Sequence, residues 1–288
     1  MIHGIRSHEI RVQEQLPTMV PDTSPILSFC IATFNRREMA SALVRDILAS
    51  DQPVEVCIHV DGSTDGTLEE LLSIEDSRLT VTSGTNSGSA GSRRVAISKA
   101  KGKFIAIYDD DDQIIGQNIP SIIDQLIACT DKSLCGIVVH YVEADGRLHG
   151  SPFVRRRTNF LQMRFDDHVK GDKREIVRSE ILKPVVEKYY KGARRVPTSL
   201  LWYKVALDYD VMCVDQAIGV KCYLPGGLTS AIDSVKKGSP WPMLRHKMTI
   251  VAGFLFRRHR SLRAAGRSLL SSVFYCAFAF RQVLTNGK

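Results

Sequence analysis

The chain has 288 residues, and its 44% hydrophobic and 24% charged content is that of an ordinary globular protein, which excludes a disordered or fibrous chain. Seven scattered cysteines without a C-x-x-C pair argue against a disulfide framework or a cysteine-held zinc, and imply reduced thiols and a cytoplasmic location. The net charge of +8 is concentrated at one end, because residues 234–288 hold eleven Lys and Arg and no Asp or Glu; the body lacks a nucleic-acid-binding motif, so no nucleic acid partner is expected.

Residues 1–24 contain Pro17 and Pro21 and little apolar periodicity, which predicts a loosely held arm. The charged start "MIHGIRSHEIRVQEQLP" has no apolar stretch of the secretory kind, so no export is expected. Ile26–Ile31 is a nearly continuous apolar run, suited to a strand buried on both faces. Asn35 with Glu38 reads as a capping box opening a helix to about Ala49. "PVEVCIHV" predicts a second strand, "DGSTDGT" a turn, and Thr67 with Glu70 a second capping box before "LEELLSI". "LTVTS", "SAGSRRVAISKA" and "KFIAIY" then read as strand, helix and strand, the last ending in "DDDD". This alternation predicts an α/β fold with a doubly wound, mostly parallel sheet.

In such sheets ligands bind at the carboxyl ends of the strands, and the polar clusters "TFN", "DGSTDGT" and "DDDD" all fall there. The first strand is followed by "TFNRRE", not G-x-G-x-x-G, and no phosphate loop of the G-x-x-x-x-G-K-[ST] type occurs. What remains is a diphosphate held by a divalent cation. On an extended strand end Asp109 and Asp111 would point to the same side, about 6.6 Å apart, with Asp112 pointing away. A hard cation such as Mg2+ takes one or two carboxylates and completes its shell with phosphates, a demand this spacing meets.

The ordered set "ILSFCIATFNR", "VEVCIHVDGSTDGT", "NSGSAGSRRVAISKAKGKFIAIYDDDD" resembles the nucleotide-sugar half of the inverting family-2 glycosyltransferases of the A-type fold. The resemblance covers roughly residues 26–125, and "GDKREIVRSEIL" with "RVPTSLLW" is similar to the acceptor half of bacterial polysaccharide-type members. It implies a nucleotide-diphospho-sugar donor, a UDP-sugar foremost, a divalent metal (Mn2+ or Mg2+), and a glycan or lipid-linked acceptor. By the same resemblance Thr33 and Phe34 border the base, Asp61 accepts a hydrogen bond from it, and Arg94 approaches the donor. Asp109 and Asp110 contact the nucleotide-sugar, and Asp109 and Asp111 form the metal motif, with Asp111 the direct ligand. Where the family places an acidic base, four residues before the tryptophan, this chain has Thr198 before Trp202. Asp172 is the substitute candidate, with a helix N-cap as its other reading. A catalytically silent nucleotide-sugar-binding protein is the alternative to an enzyme.

Residues 25–233 are expected to form the transferase domain, in a nucleotide-sugar half (25–130) and an acceptor half (131–233). The longest uncharged apolar run, 268–280, is shorter than the roughly 20 residues that cross a bilayer, which favours addition of one sugar at a time over processive synthesis. In the tail (234–288), Leu244, Met248, Val251 and Leu255 recur on one helical face, followed by Arg257, Arg258, Arg260, Arg263 and Arg267. A basic amphipathic helix of this kind predicts peripheral contact with the inner face of the cytoplasmic membrane.

Overall fold

Apolar runs buried on both faces must sit between helical layers, and the computed structural model, which describes residues 24–222 and 240–286, places them there. The first half alternates as expected: β1 (Leu27–Thr33), α1 (Arg37–Leu48), β2 (Val54–Val60), α2 (Thr67–Leu72), β3 (Leu79–Ser83), α3 (Gly88–Lys99) and β4 (Phe104–Asp109). A short β5 (Gln113–Ile114) leads through a 3-10 turn into α4 (Ile119–Ala128) and the long β6 (Leu134–Val142). β7 (Arg157–Thr158), α5 (Phe160–Phe165), β8 (Arg174–Arg178), α6 (Ser179–Tyr190), α7 (Thr198–Val205) and β9 (Asp210–Val220) complete the body. Two helices follow, α8 (Pro240–Leu255) and α9 (Leu262–Asn286). The expected arm and the boundary at residue 233 lie outside the described residues.

The strands form one sheet in the order β3-β2-β1-β4-β8-β6-β9-β5, with β7 also paired to β9. β3, β2, β1 and β4 are mutually parallel, while β8 runs antiparallel between β4 and β6, so the acceptor half is mixed. The chain winds outward from β1 to β3 and then returns to the other side of β1 with β4. That reversal opens a crevice beyond the strand ends, where Ala32 of β1 neighbours Asp109 of β4.

Two apolar layers hold the sheet. On one face Leu27, Phe29 and Ile31 are fully buried with α1, α2 and α4, and Phe29 meets Tyr108 edge-on at 5.7 Å. On the other, Ile105, Ile107 and Val177 pack under α3, α5, α6 and α7. Each fully buried side chain of this size contributes about 1.5–3 kcal/mol relative to exposure.

Several local expectations fail for identifiable reasons. Asn35 does not cap α1: it sits at φ +50, and its side chain accepts from the Thr64 N–H at 2.8 Å, tying the two loops together. Asp65 accepts from Arg37 N–H instead. Thr67 lies inside α2 behind a left-handed Gly66, and Glu70 pairs with Arg37 and Arg45. Asp172 is not a helix N-cap either, because a strand, β8, intervenes before the helix at Ser179.

In the tail the predicted face is turned outward. Met243, His246, Ile250 and Gly253 face the body, while Met248 and Leu255 are exposed. His246 docks α8 on α7, its Nε2 2.9 Å from Ser199 Oγ. Burial, with Lys247 adding to it, pushes the imidazole down to about 4. The unfolded chain therefore takes up a proton near pH 6.5 that the folded chain refuses, so stability is lost as pH falls from 6.5 towards 4. Urea titrations should give a lower midpoint at pH 5 than at pH 7.5. His246→Gln should narrow that gap; an unchanged gap would remove His246 as a contributor.

Candidate active site

The four aspartates lie at the switch point, but not as an extended strand. β4 stops at Asp109, and the Asp112 N–H donates to the Asp109 carbonyl at 3.2 Å, closing a turn over residues 109–112. The side-by-side pairing of Asp109 and Asp111 is therefore replaced by two different pairs. Asp109 and Asp112 share Lys221 (3.4 and 3.1 Å) and Arg174 (3.5 Å to each). Asp110 and Asp111 share Arg36, at 2.5 and 3.1 Å. Far from pointing into solvent, the Asp112 side chain is fully buried and also accepts from the Cys222 N–H.

The cations come from four separate elements. Arg36 leads into α1, Arg93 of α3 reaches Asp109 at 2.7 Å, Arg174 begins β8, and Lys221 follows β9. Arg174 is wedged between aromatic rings, 4.8 Å from Tyr108 and 5.2 Å from Tyr141, and donates to the Tyr141 hydroxyl. Burial pushes the Asp109 carboxyl up, yet Arg93, Arg174 and Lys221 together hold it well below the usual carboxylate range. At Asp110 burial wins and lifts the carboxyl to about 6 against Arg36 and the Thr33 hydroxyl; at Asp112 it also outweighs Arg174 and Lys221.

Thr33 is buried at the end of β1 and Phe34 stands exposed beside it. Asp61, just past β2, is buried and spends both oxygens on the start of α3, accepting from Ser87 N–H at 2.7 Å and Gly88 N–H at 2.9 Å. Gly88 is needed there: its φ is +80, and a Cβ would lie 2.5 Å from the Arg194 carbonyl oxygen. Arg94 does not join the cluster; it points along the helix surface to Glu187 at 3.0 Å, and Arg93, one position earlier, takes the place expected of it. Thr198 Oγ1 accepts from Arg93 Nη1 at 2.9 Å, so the hydroxyl at the absent base is tied to the same guanidinium that holds Asp109. Asp172 lies at the rim, 3.7 Å from Lys221.

Arg36, Arg93, Arg174 and Lys221 were not legible as partners in the sequence. The parity of α3 was the only available signal, since Arg93 follows buried Ala90 by three residues. Among the described residues no three His, Cys, Asp or Glu side chains are arranged to hold an ion by themselves. The residues do fit a cation shared with a ligand: Asp111 is 19% exposed and its one ion pair among the described residues, to Arg36, engages Oδ2. Asp109, crowded by three cations, does not fit that role.

Removing Arg174 would leave the fully buried Asp112 with Lys221 as its one cation among the described residues, and Lys221 shared with Asp109. Arg174→Met should destabilise the fold by about 3–5 kcal/mol in chemical denaturation, the usual effect of orphaning a buried charge. Adding Asp112→Asn should recover part of that loss. Additive losses would mean that the two groups do not interact.

The model of the family described as "Glycosyl transferase family 2" matches residues 28–183, from β1 into α6. The chain is 31% identical over 122 residues to the Escherichia coli protein named UDP-Glc:alpha-D-GlcNAc-diphosphoundecaprenol beta-1,3-glucosyltransferase WfaP, covering 42% of this chain and 48% of that protein. It thus spans about half the length of that relative. Among solved structures, Staphylococcus aureus TarS 1-349 in complex with UDP superposes with a TM-score of 0.59 at 21% identity, over 78% of this chain and 65% of that one. The mannosyltransferase PcManGT of Pyrobaculum calidifontis, in complex with GDP-Man and Mn2+, gives a TM-score of 0.54 at 14% identity, over 96% and 85%. These likenesses identify the fold as the A-type glycosyltransferase fold. With the family pattern running unbroken from the first strand past the carboxylate turn, this chain belongs to glycosyl transferase family 2.

Proposed function

We propose that the chain transfers a sugar, with inversion and one unit at a time, from a nucleotide-diphospho-sugar to an acceptor hydroxyl in bacterial cell-surface glycan assembly. The observation that carries this is the meeting of β1 and β4 at the switch point, where Thr33 and Phe34 border the same crevice as Asp109–Asp112. A UDP-sugar is the donor that the names of the relatives favour. Phe34 offers its exposed ring to the base, while Asp61, by fixing the start of α3, sets the opposite wall and keeps lone pairs for a base N–H.

Asp111, with the donor diphosphate, would hold Mn2+ or Mg2+, which supplies neutralisation of charge on the departing nucleoside diphosphate. Arg36, Arg93 and Lys221 supply further positive charge from fixed positions beside the crevice, so little reorganisation is needed as the anion leaves. The acceptor oxygen attacks the anomeric carbon from the face opposite the diphosphate, and a carboxylate takes its proton. Asp172, the carboxylate the sequence offers for this role, lies in the acceptor half at the rim beside Lys221.

A silent binding protein would hold the nucleotide without turning it over. Asp111→Asn should weaken Mn2+-dependent UDP binding by at least tenfold and leave the melting temperature of the ligand-free protein within about 2 °C. Equal binding by parent and variant, or UDP-sugar binding by the parent without any release of UDP, would contradict the enzyme reading.

The tail supports peripheral membrane contact. α9 turns Ala265, Ser268 and Ser272 inward and leaves Leu262, Leu269, Leu270, Val273 and Phe274 more than half exposed, the reverse of a helix in a water-facing layer. Exposed Arg257, Arg260, Arg263 and Arg267 accompany that ridge, and among the described residues no helix is long and apolar enough to cross a membrane. Near anionic lipid each basic side chain contributes on the order of 1 kcal/mol, screened by salt. The parent should pellet with phosphatidylglycerol vesicles at low salt, and replacing Leu269, Leu270, Val273 and Phe274 by Ser should abolish this while UDP release persists. Failure of the parent to pellet would refute it.

A further inference from the structure

The acceptor half lacks the expected carboxylate at Thr198, whose neutral hydroxyl already accepts from Arg93 and is too weak a base to take a proton at neutral pH. A different carboxylate lies on the same face of the sheet. The β4–β8 register pairs Ile105 with Val177 and Ala106 with Ile176, and continuing it by one pair sets Glu175 opposite Ile107. Side chains alternate, so Ile105, Ile107 and Asp109 share one face with Val177 and Glu175, the face covered by α3 and α7. Two residues along β4 and one strand across separate the Cα atoms of Asp109 and Glu175 by roughly 8 Å.

Glu175 differs from every member of the aspartate turn. Its carboxylate accepts from its own backbone N–H and makes no ion pair among the described residues, although it lies deep in the fold and is only partly open to solvent. Around it stand Arg164 from α5, Tyr203 from α7, and Asp172, Lys173 and Arg174 on its own segment. Burial pushes its carboxyl up to about 7, against the pull of Arg174 and Arg164. Lys173, the nearest amine on that face, is engaged with the His149 carbonyl at 2.9 Å. A carboxylate held only by its own N–H and by the field of two arginines, with no ion pair, keeps lone pairs available to an incoming hydroxyl.

We infer that Glu175, not Asp172 or Thr198, is the base that takes the acceptor proton. The inference rests on the transferase reading above. In the step assigned to it, the acceptor O–H bond breaks as its oxygen bonds to the anomeric carbon, and the proton passes to the Glu175 carboxylate. The bond from that carbon to the diphosphate oxygen breaks with its electron pair, leaving a nucleoside diphosphate beside Arg93 and Lys221. The aspartate turn and Glu175 thereby divide the labour: one row of the sheet face handles the leaving group and the row beneath it handles the nucleophile.

The test uses the full chain with UDP-glucose and Mn2+, water serving as the acceptor, and reads UDP release and, separately, UDP affinity by calorimetry. Glu175→Gln should lower kcat by about 10²–10⁴-fold, with UDP affinity unchanged and thermal stability equal or higher, since the amide removes a buried charge whose burial outweighs the pull of Arg174 and Arg164. Glu175→Asp should recover part of the rate. Glu175→Gln turning over at the parental rate would overturn the assignment, as would a rate loss confined to Asp172→Asn, or a Glu175→Gln variant whose lost rate tracks lost stability. A parent that binds UDP-glucose and releases no UDP would instead overturn the transferase reading itself.

Discussion

Four consecutive carboxylates at the end of a buried strand are the constraint around which the rest of this molecule is arranged. Two unit charges 5 Å apart repel by about 3 kcal/mol at the effective dielectric of a protein site, so the turn could not close without compensation. Arg36, Arg93, Arg174 and Lys221 supply it from the segment after β1, from α3, from β8 and from the end of β9. Each of these elements is thereby fixed to one point at the switch between β1 and β4. The aromatic walls of Tyr108 and Tyr141 around Arg174 complete the arrangement, because a desolvated guanidinium keeps its charge and gains from both ring faces.

The same balance explains how a highly charged site can be ready for an anionic donor. The cations are already oriented and desolvated, so a diphosphate entering the crevice meets fixed positive charge and not mobile side chains. Asp111 is held by Arg36 alone among the described residues, whereas Asp109, though more exposed, is engaged by three cations, which leaves Asp111 freer to share an incoming metal. The turn therefore separates two duties that an extended D-x-D would have merged: Asp109 and Asp112 lock the acceptor half to the nucleotide half, and in the proposed reading Asp111 is left to face the ligand.

Much of the first half was readable because the apolar runs are continuous and the turns polar, so β1 to β4 and their helices fall within a few residues of expectation. The failures come from interactions between segments distant in sequence. Asn35 and Thr67 have the spacing of capping boxes, but the loops after β1 and β2 touch, and hydrogen bonds between them win over local caps. Asp109 and Asp111 have the spacing of one strand face, but the strand ends at Asp109. Arg94 and Arg93 differ by one position, which on a helix is a rotation of about 100°, enough to exchange a surface pair with Glu187 for the aspartate cluster. Arg174 and Lys221 looked like ordinary basic residues, since nothing local tells that β8 and β9 flank the cluster. In the tail the helical period holds, and Met248 and Leu255 lie on the outer face.

The central claim is that the aspartate turn at the β1–β4 switch is the donor site, with Asp111 facing the metal and diphosphate. Crystals grown with UDP and Mn2+, measured at the manganese absorption edge, test it directly. The account predicts a single anomalous peak between the Asp111 carboxylate and the diphosphate, with the uracil beside Phe34 and with Asp109 still held by Arg93. A peak ligated by Asp109 and Asp112, or a nucleotide bound away from the ends of β1 and β4, would contradict it.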